Sequence, residues 1–405
     1  MRELDTISQW ERWIRQAVRH RASDVHLEPE NDGWRLRLRI DGLLFPYEQV
    51  SEEAGVALVT ALKVRAGMDI GEKRLPQDGR FTTVVDGVAV DVRVSTLPTL
   101  YGEKAVLRLL GRHAQRFALE DLGLTSEQRA TVERWLERME GLVLVTGPTG
   151  SGKTTTLYAM VRRLARPTTN IVTLEDPVEC CLAGVNQVQI NERAGLTFAA
   201  GLRAVLRQDP DVILVGEIRD AETAATAVRA ALTGHLILAT VHAADAPSAA
   251  TRLVDLGVEP HLVAATLSGV IAQRLVRRLC SCRRSERMPV SCSRCGGVGS
   301  IGRTGVFELL DVDEEVANAI RQHPEPSALR HLMRAKVGRR CPKRCAADQP
   351  GRGDGTTSRW GWGRMNASWS DRDVEETCEA LSELLGIGVP LLSALATVAQ
   401  GRSPR

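Results

Sequence analysis

The spacing of apolar residues changes period several times along this chain. Ile7, Trp10, Ile14, Ala17 and Val18 recur at helical intervals and predict an amphipathic helix. Trp34 to Ile40 then alternates apolar and basic residues without a slip. Asp41-Gly42 supplies a turn, and Leu43 to Phe45 begins a return strand, which together predict a hairpin with one buried face. A second hairpin is predicted from Phe81 to Val85, a turn at Asp86-Gly87, and Val88, Val90, Val92 and Val94 alternating with Ala89, Asp91 and Arg93. Glu52 to Ala66, between the hairpins, reads as a helix. The N-terminal part is therefore expected to be a small α/β domain with an antiparallel sheet.

A polar connection over 111–120 leads to a predicted helix from Ser126 to Met139, capped by Thr125 or Ser126. The pattern then changes to short, wholly apolar strands: Leu142–Thr146, Ile171–Leu174, Val212–Val215 and Leu236–Ala239, separated by helix-like segments. Continuous apolar strands alternating with helices predict a mostly parallel sheet covered on both faces.

Composition adds bounds. The 405 residues carry 53 Lys and Arg against 50 Asp and Glu, with 43% hydrophobic and 4% aromatic residues, an ordinary globular balance for two or three domains. From Arg330 to Arg364, ten basic residues face two acidic ones, a local +8 that leaves the rest of the chain at −5. A nucleic-acid groove lined with cations and aromatics is therefore not expected. No apolar run reaches the roughly 18–20 residues of a membrane-spanning helix, and Met1-Arg-Glu-Leu-Asp does not begin like a signal peptide, so a cytoplasmic location is expected. Four of the nine cysteines fall between Cys280 and Cys295, which suggests metal ligation.

The most specific chemistry is the run Gly147, Pro148, Thr149, Gly150, Ser151, Gly152, Lys153, Thr154 and Thr155, placed after an apolar strand and before a helix. Its glycines let backbone N–H groups wrap phosphates, Lys153 reaches the β/γ oxygens, and the Thr154 hydroxyl suits Mg²⁺. Val212 to Val215 leads through Gly216 to Glu217, a carboxylate at a strand end that could hold Mg²⁺ through water or polarise an attacking water. Glu175, Asp176 and Glu179 also follow an apolar strand; pattern alone leaves a solvated acidic turn and a site residue equally open. His235 and His242 bracket Leu236–Ala239, and periodicity does not rank them. Cys280, Cys282, Cys292 and Cys295 suggest a closed structural zinc site, although the single-residue gap of the first pair suits tetrahedral geometry less naturally than the two-residue gap of the second. Cys341 and Cys345 are substitutes for the first pair.

Together these features resemble the type II secretion and type IV pilus assembly ATPases, the GspE/PulE/PilB family, over about residues 21 to 336. Beyond the phosphate loop, the resemblance rests on Ala22-Ser-Asp-Val-His-Leu-Glu-Pro29, Arg74-Leu-Pro-Gln-Asp-Gly-Arg80, Arg93-Val-Ser-Thr, Glu175-Asp-Pro-Val-Glu179, Leu206-Arg-Gln-Asp-Pro-Asp211, Gly216-Glu-Ile-Arg-Asp220, Thr233-Gly-His-Leu and Gly302-Arg-Thr-Gly-Val-Phe-Glu-Leu309. It implies an α/β fold with a RecA-like P-loop ATPase domain preceded by a PAS-like domain, assembled as a homo-hexamer that uses ATP and Mg²⁺. By the same resemblance Glu217 is the Walker B carboxylate, Glu175, Asp176 and Glu179 form the aspartate box, and His235 and His242 the histidine box. Arg93 and Arg108 become candidates for arginines brought to the phosphates from the N-terminal domain. The implied partners are an inner-membrane platform protein of the GspF/PilC type and a membrane-recruiting subunit of the GspL type, with peripheral association at the inner membrane. The further N-terminal domain by which many relatives bind the recruiting subunit is expected to be missing.

The expected organisation is a PAS-like domain over 1–112, a linker over 113–125, the ATPase domain over 126–337 with a cysteine knuckle at 278–303, a basic Gly-rich segment over 338–364, and a short helical tail over 365–405. Within the tail, Cys378 to Leu395 resembles the start of a platform protein, which suggests a frame disruption joining two neighbouring genes. The competing functions are a retraction ATPase, a nucleic-acid translocase of the same P-loop class, and a non-catalytic platform-binding subunit.

Overall fold

A computed structural model describes residues 3–110, 118–284, 292, 295, 299–322, 325–340 and 360–361. Cys341, Cys345 and the tail over 365–405 lie outside these residues, as does most of the connection over 111–120. The chain divides into two compact units, 1–114 and 115–405.

The first unit comprises α1 (Glu3–Arg19), β1 (Ala22–Glu30), β2 (Gly33–Ile40), β3 (Leu43–Val50), α2 (Glu52–Arg65), β4 (Gln77–Val85), β5 (Val88–Thr99) and β6 (Gly102–Leu110). Its six-stranded sheet has the order β3-β2-β1-β6-β5-β4, antiparallel where β1 joins β2 and β6. Both predicted hairpins are present, turning at Asp41-Gly42 and Asp86-Gly87 with all four residues at positive φ, as two-residue hairpin turns require. The segment Ala22–Pro29 lies in the central strand β1, which with β6 joins the two hairpins. The core is formed by Trp10, Ile14, Leu58 and Leu62 from the helices with Val25, Leu27, Leu36, Val92 and Leu107 from the sheet. Trp10 packs edge-to-face on Trp13, with centroids 5.1 Å apart, and its Nε1 donates to Leu58 O at 2.9 Å, so the large ring is buried without an unpaired donor. Gly55 lets α2 approach the sheet: a Cβ there would stand 2.3 Å from the Trp34 ring.

The second unit comprises α3 (Ser126–Glu137), β7 (Gly141–Thr146), α4 (Lys153–Leu164), β8 (Ile171–Glu175), β9 (Asn186–Gln189), α5 (Phe198–Val205), β10 (Val212–Val215), α6 (Ala221–Leu232), β11 (Leu236–Val241), α7 (Ala246–Asp255), α8 (Pro260–Thr266), β12 (Leu267–Leu279), β13 (Ser300–Asp311), α9 (Glu314–Gln322), α10 (Pro326–Arg340) and β14 (Trp360–Gly361). The sheet order is β13-β12-β7-β11-β10-β8-β9, with β14 paired to β12. From β12 to β9 the neighbours are parallel, and β13 closes one side antiparallel. β7, β8, β10 and β11 are buried along their whole length, which is why each is mainly apolar; in β8 the buried Thr173 and Glu175 bond one another. Thr125 caps α3 in a reciprocal capping box with Gln128. The long β12–β13 hairpin was not legible, because its apolar run passes into the basic Arg274–Leu279 stretch. α10 continues to Arg340 and so carries helical backbone past residue 337 into the segment that pattern reads as irregular.

Candidate functional site

Parallel strands deliver their C-terminal ends to one edge of a sheet. Here β7 ends in the phosphate loop, β8 in Glu175, β10 in Gly216-Glu217 and β11 in His242. Gly147, Gly150 and Gly152 hold φ of +147°, +77° and +88°, a backbone that turns the loop back on itself before α4 begins at Lys153. Lys153 Nζ donates to the carbonyls of Gly147 at 2.9 Å and Pro148 at 3.2 Å. Burial pushes its pKa below the usual lysine value, against the opposing pull of Glu217.

Glu217 is nearly enclosed, its side chain 14% exposed, and stands between two partners. Arg219 bonds one carboxylate oxygen, and His242 Nε2 lies 3.6 Å from the other. The bond to Glu217 is the main cause holding the Arg219 pKa above its ordinary value, with Asp176 adding to it. The acid is fixed from its own backbone as well: Thr240 Oγ1 donates to Gly216 O at 2.6 Å and Ile218 N to Thr240 O at 2.9 Å, so β11 sets the turn that follows β10.

The acidic box divides. Glu175 is buried, accepting from Tyr158 Oη, from Thr173 Oγ1 at 2.5 Å and from Gln187 Nε2 at 3.1 Å. Burial first, then the carboxylate beside it, pushes the Tyr158 hydroxyl pKa up, which keeps it a donor. Glu179 Oε1 lies 3.5 Å from Thr154 Oγ1, at the first turn of α4. Asp176 is exposed, within electrostatic reach of Arg219. Lys153, Thr154, Glu179, Glu217 and His242 thus share one edge, whereas Glu175 sits beneath it as a bonded internal acid.

His235 differs from His242. It precedes β11, at the opposite edge, where Nδ1 lies 3.0 Å from Ala230 O and 3.3 Å from Thr233 Oγ1. Six strand residues at roughly 3.3 Å each put about 20 Å between the two histidines, so within one chain they do not meet at the phosphate loop.

In the first unit, Arg93 faces Arg108 across β5 and β6 and faces Arg80 across β4 and β5. The same row continues through Asp24 to Arg39, with Arg108 Nε 3.0 Å from Asp24. Arg80, Arg93 and Arg108 line one cavity of about 620 Å³ with Asp78 and Ser95, a surface suited to an anion. Arg80 ends the Arg74–Arg80 motif, and only the strand register aligns it with the other two.

The four cysteines lie at the end of the β12–β13 hairpin. Cys280 Sγ is 3.9 Å from Cys292 Sγ, Cys282 Sγ is 3.5 Å from Cys295 Sγ, and all four sulfurs fall within 4.8 Å of one another. Four thiolates at about 2.3 Å from one zinc would be separated by about 3.8 Å, so the donors fit a closed tetrahedral site despite the single-residue gap between Cys280 and Cys282. Gly299 N donates to Cys295 Sγ at 3.3 Å, the kind of N–H bond that steadies a thiolate ligand.

Residues that sequence reasoning passed over include Tyr158, Thr173 and Gln187 around Glu175, Arg219 beside Glu217, and Gln273, whose Nε2 donates to Ser151 O in the phosphate loop at 2.7 Å. Arg219 had a signal, standing two residues from Glu217 in a quoted motif. Thr173 stands two residues before Glu175 on the same strand, whereas Tyr158, Gln187 and Gln273 are brought in by α4, β9 and β12.

Residues 5–349 match the family of type II/IV secretion system proteins. The chain is 51% identical over 326 residues to the type II secretion system protein HxcR of Pseudomonas aeruginosa, covering 80% of this chain and 70% of that one. It is 45% identical over 346 residues to the type IV pilus assembly ATPase PilB of Thermus thermophilus, covering 80% of this chain but 39% of PilB. Among solved structures, the pilus retraction motor PilT with bound ADP superposes with a TM-score of 0.57 at 30% identity, covering 80% of this chain and 89% of PilT. No helix among the described residues is long and apolar enough to cross a membrane. A phosphate loop on a parallel sheet, an acid and a histidine at its strand ends, and these matches together show that the chain belongs to the type II/IV secretion system protein family, as a P-loop ATPase of the secretion and pilus motors.

Proposed function

We propose that the protein works as a cytoplasmic hexamer that hydrolyses ATP to drive assembly of a type II secretion pseudopilus or a type IV pilus, acting on an inner-membrane platform protein and held at the membrane by its partners. The observation that carries this reading is the convergence of Lys153, Glu217 and His242 on one sheet edge. Backbone N–H groups from Gly150 to Thr155 cradle the phosphates, and β/γ oxygens replace the two carbonyls that Lys153 bonds. Thr154, with Glu179 and Glu217 nearby, is the residue to hold Mg²⁺, which when bound neutralises charge on the β- and γ-phosphates. Glu217 orients and polarises the attacking water, and His242, 3.6 Å from one oxygen of that carboxylate, is placed beside both. Arg93 and Arg108, with Arg80 in the same row, form on the first unit a line of guanidinium groups suited to the charge of a phosphate. The four cysteines hold a structural Zn²⁺ that takes no part in hydrolysis.

The test is ATP turnover by the purified full chain over a concentration series, with sizing in parallel, for the wild type and Glu217→Gln. Turnover that rises with assembly and disappears in Glu217→Gln supports the oligomeric motor. Nucleotide binding without turnover in any assembly rejects it in favour of a non-catalytic subunit.

A further inference from the structure

β12 passes beside the phosphate loop, and its neighbouring residues Gln273 and Arg274 project to opposite faces of the sheet. Gln273 is 1% exposed and bonds Ser151 O. Its own carbonyl would lie 2.5 Å from a Cβ on Gly147, and its Nε2 3.2 Å from one on Gly152, so the loop is packed directly against it. Arg274 is half-buried. Its Nη2 donates to Ala244 O and its Nη1 to Gln273 O, both at 2.9 Å.

Ala244 belongs to the turn that begins with His242. That turn is held on one side by Thr146 at the end of β7, whose Oγ1 exchanges bonds with the N and O of Ala243 at 3.0 Å. On the other side Asp245 caps α7 and accepts from Arg330 Nε at 2.8 Å. Ala244 lies between these anchors and takes its bond from Arg274. A guanidinium donating to two carbonyls at once fixes their separation, which a lysine ammonium on a flexible stem does less well.

We propose that Gln273 and Arg274 are positioning residues for ATP hydrolysis: Gln273 seats the phosphate loop, Arg274 seats the turn carrying His242, and β12 thereby sets the spacing between Lys153 and the His242–Glu217 pair. The proposal rests on the role given to His242 above. Neither residue touches the reacting atoms. Loss of Gln273 therefore acts on nucleotide binding, and loss of Arg274 acts on the chemical step through His242 alone.

The experiment compares the full-length wild type with Gln273→Met, Arg274→Met, Arg274→Lys, His242→Ala and the Arg274→Met/His242→Ala double variant. It measures kcat and KM for ATP, affinity for a fluorescent ATP analogue, and assembly by sizing. His242→Ala and Arg274→Met are each expected to lower kcat by about tenfold or more, with KM changed by less than about threefold. The double variant is expected to be no slower than the slower single variant within about threefold, because both remove one function. Arg274→Lys falls between, and Gln273→Met weakens nucleotide binding by about tenfold.

The proposal is overturned if Arg274→Met leaves kcat intact while His242→Ala lowers it, if the two effects multiply in the double variant, or if Gln273→Met binds nucleotide normally. An unaffected His242→Ala removes the assigned role of His242 itself and the proposal with it. Should Arg274→Met not assemble, the same comparison is decided with Arg274→Lys and its double variant.

Discussion

Glu217 and His242 meet at the ends of adjacent parallel strands, carboxylate Oε2 to imidazole Nε2 at 3.6 Å. The ladder pairing Val215 with Ala239 brings them together, although 25 positions separate them in the chain. Replacing Glu217 with Gln keeps the shape and the approach to Arg219 but removes the charge that polarises water. Glu217→Gln is expected to lower kcat by roughly 10²–10⁴ while ATP still binds, checked by steady-state turnover alongside equilibrium nucleotide binding.

Glu175 is expected to act through folding more than through chemistry. Its carboxylate is 4% exposed and takes three side-chain bonds, one of them from Tyr158. Tyr158→Phe deletes a single hydroxyl and leaves a buried carboxylate short of a donor, a loss of about 1–3 kcal/mol in stability. Denaturant unfolding reads the loss, and turnover at a temperature where the variant is folded should fall far less than in Glu217→Gln.

The sheet of the first unit contains an acid-sensitive cluster of Glu28, Arg37 and Lys104. Burial works to raise the Glu28 pKa, but bonds from Arg37 at 2.6 Å and Lys104 at 2.8 Å outweigh it and hold the carboxyl at about 2. A folded-state value below the ordinary 4.5 contributes stability that is complete above pH 4.5 and is lost as pH falls from there towards 2. Glu28→Gln should therefore lower stability at pH 7 by on the order of 2 kcal/mol and flatten its fall between pH 5 and pH 2. Fluorescence of the buried Trp10, Trp13 and Trp34 follows the transition.

The four-thiol cluster predicts metal content. Purified protein is expected to carry about one zinc per chain, measured by elemental analysis, and Cys295→Ser to lose it. Because four thiolates leave no open coordination position, a chelator should lower thermal stability before it lowers the turnover of protein that remains folded. A fully stable, zinc-free wild type would refute the assignment.

Much of this is legible in the sequence, for physical reasons that differ by element. Strands buried on both faces are mostly apolar, with any polar group bonded as Glu175 is, so β7, β8, β10 and β11 are legible as short apolar runs, and their alternation with helices specifies a parallel sheet. A loop that wraps phosphates needs glycines and a lysine at fixed spacing, so Gly147 to Thr155 identified nucleotide chemistry from local sequence alone. The hairpins of the first unit were equally local, set by period-two alternation and by Asp-Gly turns.

Position across the sheet was not local. The histidines flank one strand and looked equivalent, yet a strand carries its two ends to opposite edges, and only His242 shares an edge with Glu217. The acids of Glu175-Asp-Pro-Val-Glu179 looked like one box, yet Glu175 is enclosed by Tyr158, Thr173 and Gln187 while Glu179 lies by Thr154. The row from Arg39 through Asp24, Arg108 and Arg93 to Arg80 exists only in strand register, and Gln273 reaches Ser151 across 122 positions. Sequence by itself determined which chemistry this chain carries, because motifs and periods are short-range properties of the backbone and its burial. Tertiary structure alone decided which of those groups act together, because strand order and register bring side chains together regardless of their distance along the chain.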